Sequence, residues 1–135
     1  MITGPSKNIE EIQVGDTLKS YTGAVKVIAK VDYMANVRLY RLNDEVPFMT
    51  GPHPVRTESG WKSYQPEETK LHLPTLPIGE LALGDILLRE FEKREPLQNN
   101  EFITGNYRVY NLQVSGANDY FANGYSVYSE IPQPT

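Results

Sequence analysis

The chain has 135 residues, enough for one domain that buries about two thirds of its unfolded surface without a covalent staple. A net charge of −4, with 22% charged and 39% apolar residues, describes an ordinary globule and argues against a nucleic-acid partner, whose phosphates demand a basic face. With no cysteines, disulfides and thiolate chemistry are excluded within these residues, and no apolar run approaches the roughly 18 residues of a membrane-spanning helix. The expectation is a soluble single domain over 1–135, with neither nucleic acid nor membrane as partner. No signal peptide opens it. The cytoplasm is the default setting, although a chain without cysteine carries no direct mark of its compartment.

In chain order, Met1-Ile2-Thr3 reads as the tail of a strand that looks truncated, and Gly4-Pro5-Ser6 as a turn. Ile9 to Leu18 contains Val14-Gly15-Asp16-Thr17-Leu18. Gly takes positive φ freely and Asp caps its own backbone, so this is a turn leading into a strand. Val25, Val27, Ala29, Val31 and Tyr33 alternate with Lys26, Lys30 and Asp32 as in a half-buried strand, and Ile28 on the polar face points to partial cover there. Ala35-Asn36 breaks the run and Val37 to Leu42 restarts it, which predicts a hairpin over 24–42. Val46 to Met49 is a short strand.

Gly51-Pro52-His53-Pro54 can be neither helix nor central strand, since each proline removes a donor and restricts its neighbour. Val55 to Lys62 reads as a small hairpin. Gln65 to Thr69 reads as one helical turn with Pro66 near its start, and Leu71 to Pro77 as a connector or edge strand. A second Gly-Asp turn spans Ile78 to Leu87, and Ile86 to Phe91 is a strand. Glu92 to Gly105, with Pro96 and Asn99-Asn100, reads as an exposed loop, and Tyr107 to Val114 as a strand. Tyr120 to Tyr128 carries Asn123-Gly124 between β-favouring runs, a strong hairpin signal. Pro132 and Pro134 mark a frayed tail. No helical stripe is sustained. The fold class is all-β, of about ten short strands.

The two Gly-Asp phrases are a repeat. Ile78 lies 69 positions after Ile9, and Asp85 lies 69 after Asp16, with the apolar and acidic positions between them kept in place. Leu39-Tyr40-Arg41-Leu42 is echoed by Val109-Tyr110-Asn111-Leu112 at an offset of 70. A fixed period dictates architecture, and two copies are fewer than the about three a solenoid needs. They suit one domain built of two related halves.

Thr50 and His53 are the sharpest candidates for chemistry. Three apart on a proline-stiffened loop, they could aim a hydroxyl and an imidazole at one peptide bond, and histidine can donate a proton to an amide nitrogen near neutral pH. Alone, the pattern is equally that of a solvated loop histidine. Asn118 and Asp119 precede the Tyr120-Phe121 strand and could face the same cleft, or simply form a turn. His72, between two leucines, reads as a packed or edge residue. The two histidines lack zinc spacing and no third ligand is suggested, so no metal site is expected. Neither a phosphate loop, a nucleophile elbow nor a glycine-rich dinucleotide turn is present, so no cofactor is expected.

Five stretches in order resemble the Hint domain shared by inteins, bacterial intein-like domains and Hedgehog processing domains. They are Ile9-Glu10-Glu11-Ile12 with Gly15-Asp16; Thr50-x-x-His53-Pro54-Val55 with Gly60-Trp61; Leu81-x-x-Gly84-Asp85-x-Leu87; Val109-Tyr110-Asn111-Leu112-x-Val114; and Asp119 to Gly124. The resemblance covers nearly the whole chain. It implies a horseshoe-like, pseudo-twofold fold and self-directed chemistry whose partners are the flanking regions of the same polypeptide. A Cys or Ser at the domain's first residue would attack the preceding carbonyl, and Thr50, His53 and Asp119 would be the site residues that assist it.

This sequence departs from the family pattern at both ends. By the family pattern the nucleophile would lie about ten residues upstream of Met1, and no cysteine is present in these residues. The closing Val-His-Asn reads Val127-Tyr128-Ser129, and serine has no side-chain amide to cyclise. The histidine expected before the Tyr-Phe strand is Asn118. Glu92 to Asn106 is too short to hold a homing endonuclease. Two expectations follow: a degenerate Hint module with a structural or interaction role inside a larger or phage-borne protein, or an N-terminal autoprocessing domain with its nucleophile upstream. A third, an unrelated β-sandwich binding module, predicts no cleft between Thr50-His53 and the last hairpin. The truncated first strand would leave an edge open to strand addition, and so to a homodimer.

Overall fold

Both Gly-Asp phrases fold into the same turn, bond for bond. Asp16 Oδ2 accepts from the Gln13 backbone N–H at 2.9 Å, and Asp85 Oδ2 accepts from that of Ala82 at 2.8 Å. Gly15 N donates to Val27 O and Val27 N to Asp16 O, both at 2.8 Å; Gly84 N donates to Leu97 O at 2.9 Å and Leu97 N to Asp85 O at 2.8 Å. The glycines sit at φ 97° and 93°, the left-handed region that a Cβ disfavours. Ile12 and Leu18 around the first turn are buried, as are Leu81 and Leu87 around the second. The computed structural model describes residues 11–21, 23–43, 49–122 and 124–129.

Each turn feeds a hairpin. In the first, β1 (Thr17–Lys19) pairs antiparallel with the start of β2 (Ala24–Tyr40), matching Leu18 to Val25. In the second, β7 (Ile86–Leu88) pairs with β8 (Arg94–Pro96), matching Leu87 to Glu95. Four residues connect the first pair and five the second, which is where the repeat offset steps from 69 to 70. The extra residue is absorbed by Phe91 and Glu92, whose φ angles of 63° and 60° are left-handed and unusual for side chains of this kind.

The halves are joined by a long ribbon. β2 pairs antiparallel with β9 (Phe102–Ser115) from Lys26↔Ser115 to Tyr40↔Phe102. Asn36 faces Asn106, its own counterpart in the repeat, so a pseudo-twofold axis crosses the ribbon there. Counterparts meet again where β4 (Val55–Thr57) lies beside β11 (Tyr125–Tyr128): Arg56 Nε donates to Ser126 Oγ, 70 positions away, at 3.2 Å. The second sheet runs β10 (Asp119–Ala122), β11, β4, β5 (Gly60–Ser63), β6 (Gly79–Glu80), with β7 and β8 attached through β4. β3 (Met49–Thr50) closes on the end of β2. Leu42 and Leu112, counterparts with no exposed surface, sit in the core with Val55, Leu87, Leu97, Tyr120, Tyr125 and Val127.

The all-β class holds, with corrections. The hairpin expected over 24–42 is one 17-residue strand, because β9 supplies a partner straight through Ala35-Asn36. Ile28 is not covered; the register shifts between Val27 and Ala29, and this bulge residue is 47% exposed. Ile86 to Phe91 stops as a strand at Leu88 and enters a tight turn over Glu90–Glu92. The loop expected over 92–105 contains β8 and the start of β9. The helical turn at Gln65 extends to a seven-residue helix, α1 (Pro66–His72), and the segment to Pro77 is a connector, not a strand. Among the described residues there are eleven strands, two of them long. The expected first strand and its dimer edge, the strand over 46–48, Asn123 and the tail lie outside the described residues.

Candidate functional site

The Thr50–His53 loop is held at almost every backbone carbonyl. His53 N donates to Thr50 O at 3.2 Å, Gln65 N to Gly51 O at 3.1 Å, and Tyr128 N to Pro54 O at 3.1 Å. Thr69 Oγ1 donates to Pro52 O at 2.5 Å. Pro52 and Pro54 carry locked φ angles, so the carbonyl contacts fix peptide planes that have little freedom left. Gln65 packs its side chain closely over Gly51: a Cβ there would lie 1.8 Å from Gln65 Oε1 and would displace that side chain. Sequence and packing together give a preorganised loop whose threonine is anchored by the pairing of Thr50 with Leu39.

Thr50 and His53 line one cleft of about 840 Å³. The ribbon forms one wall with Val31, Tyr33, Arg38 and Arg108. α1 forms another with Glu68 and His72, and the last hairpin adds Tyr120, Ala122 and Val127. The β-sandwich reading predicted no cleft between Thr50-His53 and the last hairpin, and this cleft overturns it. Both histidines of the chain face this space. His72, expected as a packed or edge residue, is an exposed residue of α1 that lines the cleft. Gln65, Glu68, Thr69, His72 and Leu73 all line it at helical spacing, which is the signal that would have found His72.

Neither Asn118 nor Asp119 is among the residues lining the cleft. The strand begins at Asp119, so alternation sends Tyr120 and Ala122 into the cleft and Asp119 to the opposite face. There the buried Asp119 carboxylate accepts from Tyr21 N at 2.8 Å and from Ser126 Oγ at 3.4 Å, and lies 3.5 Å from Arg56 Nη2. The Arg56 guanidinium lies over the rings of Tyr21 and Trp61, at 4.8 and 4.5 Å. The carboxylate thus ties the last hairpin to the first-half turn.

Ser129 is similarly committed to structure. Its buried hydroxyl donates to Leu112 O at 2.8 Å and accepts from Val114 N at 3.2 Å, while its own N–H donates to Asn118 O at 2.7 Å. Among the described residues no group of three side chains could hold a metal ion, and no helix is long and apolar enough to cross a membrane.

No family model matches the chain, and no curated protein matches it in sequence. Solved structures do. The gp41-1 intein superimposes with a TM-score of 0.71 at 21% identity, covering 91% of this chain and 87% of that one. The bacterial intein-like domain from Clostridium thermocellum gives 0.68 at 20% identity, over 90% and 86%. A variant of the Ssp DnaB mini-intein gives 0.61 at 18% identity, over 93% and 84%. With the duplicated Gly-Asp hairpins and the ribbon that joins them, these likenesses establish the fold: it is the Hint fold of inteins and bacterial intein-like domains.

Proposed function

We propose that this is a non-splicing Hint-type domain that keeps the amide-activating loop of self-processing chemistry and has given up C-terminal cyclisation. The observation that carries the first half is the Thr50–His53 loop, preorganised through its backbone and aimed into an open cleft. In that role Thr50 holds a peptide bond by hydrogen bonding, and His53 protonates the departing amide nitrogen as a neighbouring Cys or Ser attacks the carbonyl. The ester or thioester that forms is cleaved by water or an added nucleophile. The chain has no cysteine, so the attacking residue is a serine, or is supplied by the polypeptide that precedes the domain.

The second half of the proposal rests on Ser129. It stands where the family's cyclising asparagine would be, carries no amide, and spends its hydroxyl on two backbone groups of β9. Asp119, turned from the cleft, is given a holding role. In the test, the full-length product of the gene is treated with hydroxylamine and followed by mass spectrometry. The reading expects release of the segment preceding the domain, loss of that release in His53→Ala, and no cleavage or ligation at the C-terminal side.

A second reading, a degenerate Hint module that only binds, is favoured by the absence of cysteine. It expects no hydroxylamine-sensitive ester or thioester on the N-terminal side of the domain in the full-length product.

A further inference from the structure

Helix α1 is built inside out. An ordinary surface helix turns an apolar stripe inward, yet here Leu71 is 79% exposed and the buried residue is Thr69, at 1%. A helix of seven residues is too short to stand alone in water. Something other than a hydrophobic face holds it, and the Thr69 hydroxyl is the group in place to do so.

That hydroxyl has one proton and three oxygen neighbours. Pro52 O lies at 2.5 Å, Gln65 O at 3.2 Å and Ser63 Oγ at 2.7 Å. The shortest contact to a carbonyl takes the proton, so Thr69 donates to Pro52 O. Ser63, fully buried, then donates to Thr69 Oγ1. The chain of donors runs from Ser63 on β5, through Thr69 on α1, to the carbonyl immediately before His53. Holding the Pro52 carbonyl fixes the plane of the Pro52–His53 peptide, and Gln65, the residue before α1, holds Gly51 O in the same way.

We infer that Thr69 is the positioning residue of the His53 loop, and that α1 exists to clamp this loop at the cleft. This rests on the reading of Thr50 and His53 as the amide-activating pair. It goes further in assigning a role to a residue that reaches the cleft chemistry only through Pro52. The loop that the clamp holds has no equivalent in the second half, where two residues join β10 to β11.

Three variants test it: Thr69→Val, which keeps the shape and removes the hydroxyl; Thr69→Ser, which restores the hydroxyl; and Ser63→Ala, which removes only the outer donor. Hydrogen exchange of the 135-residue chain is read at the His53 and Gln65 amides, against the β2 and β9 amides as the internal reference. Thr69→Val is expected to speed exchange at His53 and Gln65 at least tenfold with the ribbon unchanged. Thr69→Ser should stay within twofold of the parent and Ser63→Ala fall between. In the full-length product the same order is expected for the rate of hydroxylamine release. Unchanged exchange at His53 in a folded Thr69→Val, or acceleration spread equally over the ribbon, would overturn the clamp. If Thr69→Val does not fold, Ser63→Ala decides by the same readout. If the parent releases no fragment, the functional reading fails, while the exchange data still decide whether Thr69 positions the loop.

Discussion

Met49–Thr57 and Asp119–Val127 are counterparts, 70 positions apart, and they close their strands in different ways. In the second half two residues join β10 to β11 and the backbone ladder runs up to the turn, from Asp119↔Tyr128 to Ala122↔Tyr125. In the first half four residues join β3 to β4, two of them prolines that cannot extend a ladder. The first loop therefore leaves the sheet after Thr50 and carries His53 to the cleft that Thr50 also lines, with α1 beside it. Tyr120 occupies the position matching Thr50 and borders the same cleft, but as a ring packed into the core. Duplication built the frame. The chemistry sits where the copies differ, at the proline-bearing loop that joins β3 to β4.

If the frame is symmetric, equivalent substitutions should cost alike. Leu42→Ala and Leu112→Ala, each at a site with no exposed surface, should each lose about 2–5 kcal/mol in chemical denaturation. A value under about 1 kcal/mol for either alone would break the equivalence. Gly15→Ala and Gly84→Ala come next. Nothing lies within 4 Å of either added Cβ, so the cost is backbone strain at φ 97° and 93°, about 1–2 kcal/mol apiece. The two values should agree within about 0.5 kcal/mol.

Where the halves differ, the effects should differ in kind. Leu18 pairs with Val25, but Leu87 pairs with Glu95. Burial alone would raise the Glu95 carboxyl. Its hydrogen bonds from Arg89 Nη1 at 2.6 Å and Asn43 Nδ2 at 3.0 Å outweigh that, and its pKa is lowered. A depressed carboxyl gives stability that is full above the unfolded value of 4.5 and is lost as pH falls through the folded value. Denaturation measured from pH 7 downward should show this loss, and Glu95→Gln should flatten it. The carboxylate is a third exposed, so solvent screening keeps the effect below that of the glycine changes. The smallest effect is expected at Glu92→Asn. Asparagine tolerates φ 60° better than glutamate does, and a stabilisation of about 0.5 kcal/mol should appear as a raised Tm.

Local chemistry was legible in the sequence. The Gly-Asp turns depend on neighbours two or three residues away, so their repetition alone announces the two halves. The Thr50-x-x-His53-Pro54 loop declared itself through its prolines, and the Tyr120–Tyr128 hairpin through its two β-favouring runs. Long-range pairing was not legible. Ala35-Asn36 has the composition of a break, yet β9 overrides it by supplying partners on both sides. Arg94-Glu95-Pro96 reads as loop until Ile86–Leu88 is known to lie beside it. His72 was hidden because α1 turns the usual pattern around, exposing Leu71 and burying Thr69. Asp119 reads as a cleft residue or a turn former because the sequence does not fix the start of its strand, and hence its face, to one residue.

Hydroxylamine treatment of the full-length gene product, resolved by intact-mass spectrometry, puts the greatest strain on this account. A single release on the N-terminal side of the domain, abolished by His53→Ala and unaccompanied by any C-terminal cleavage or ligation, is the expected result. An unreactive parent, or a spliced product, would contradict it.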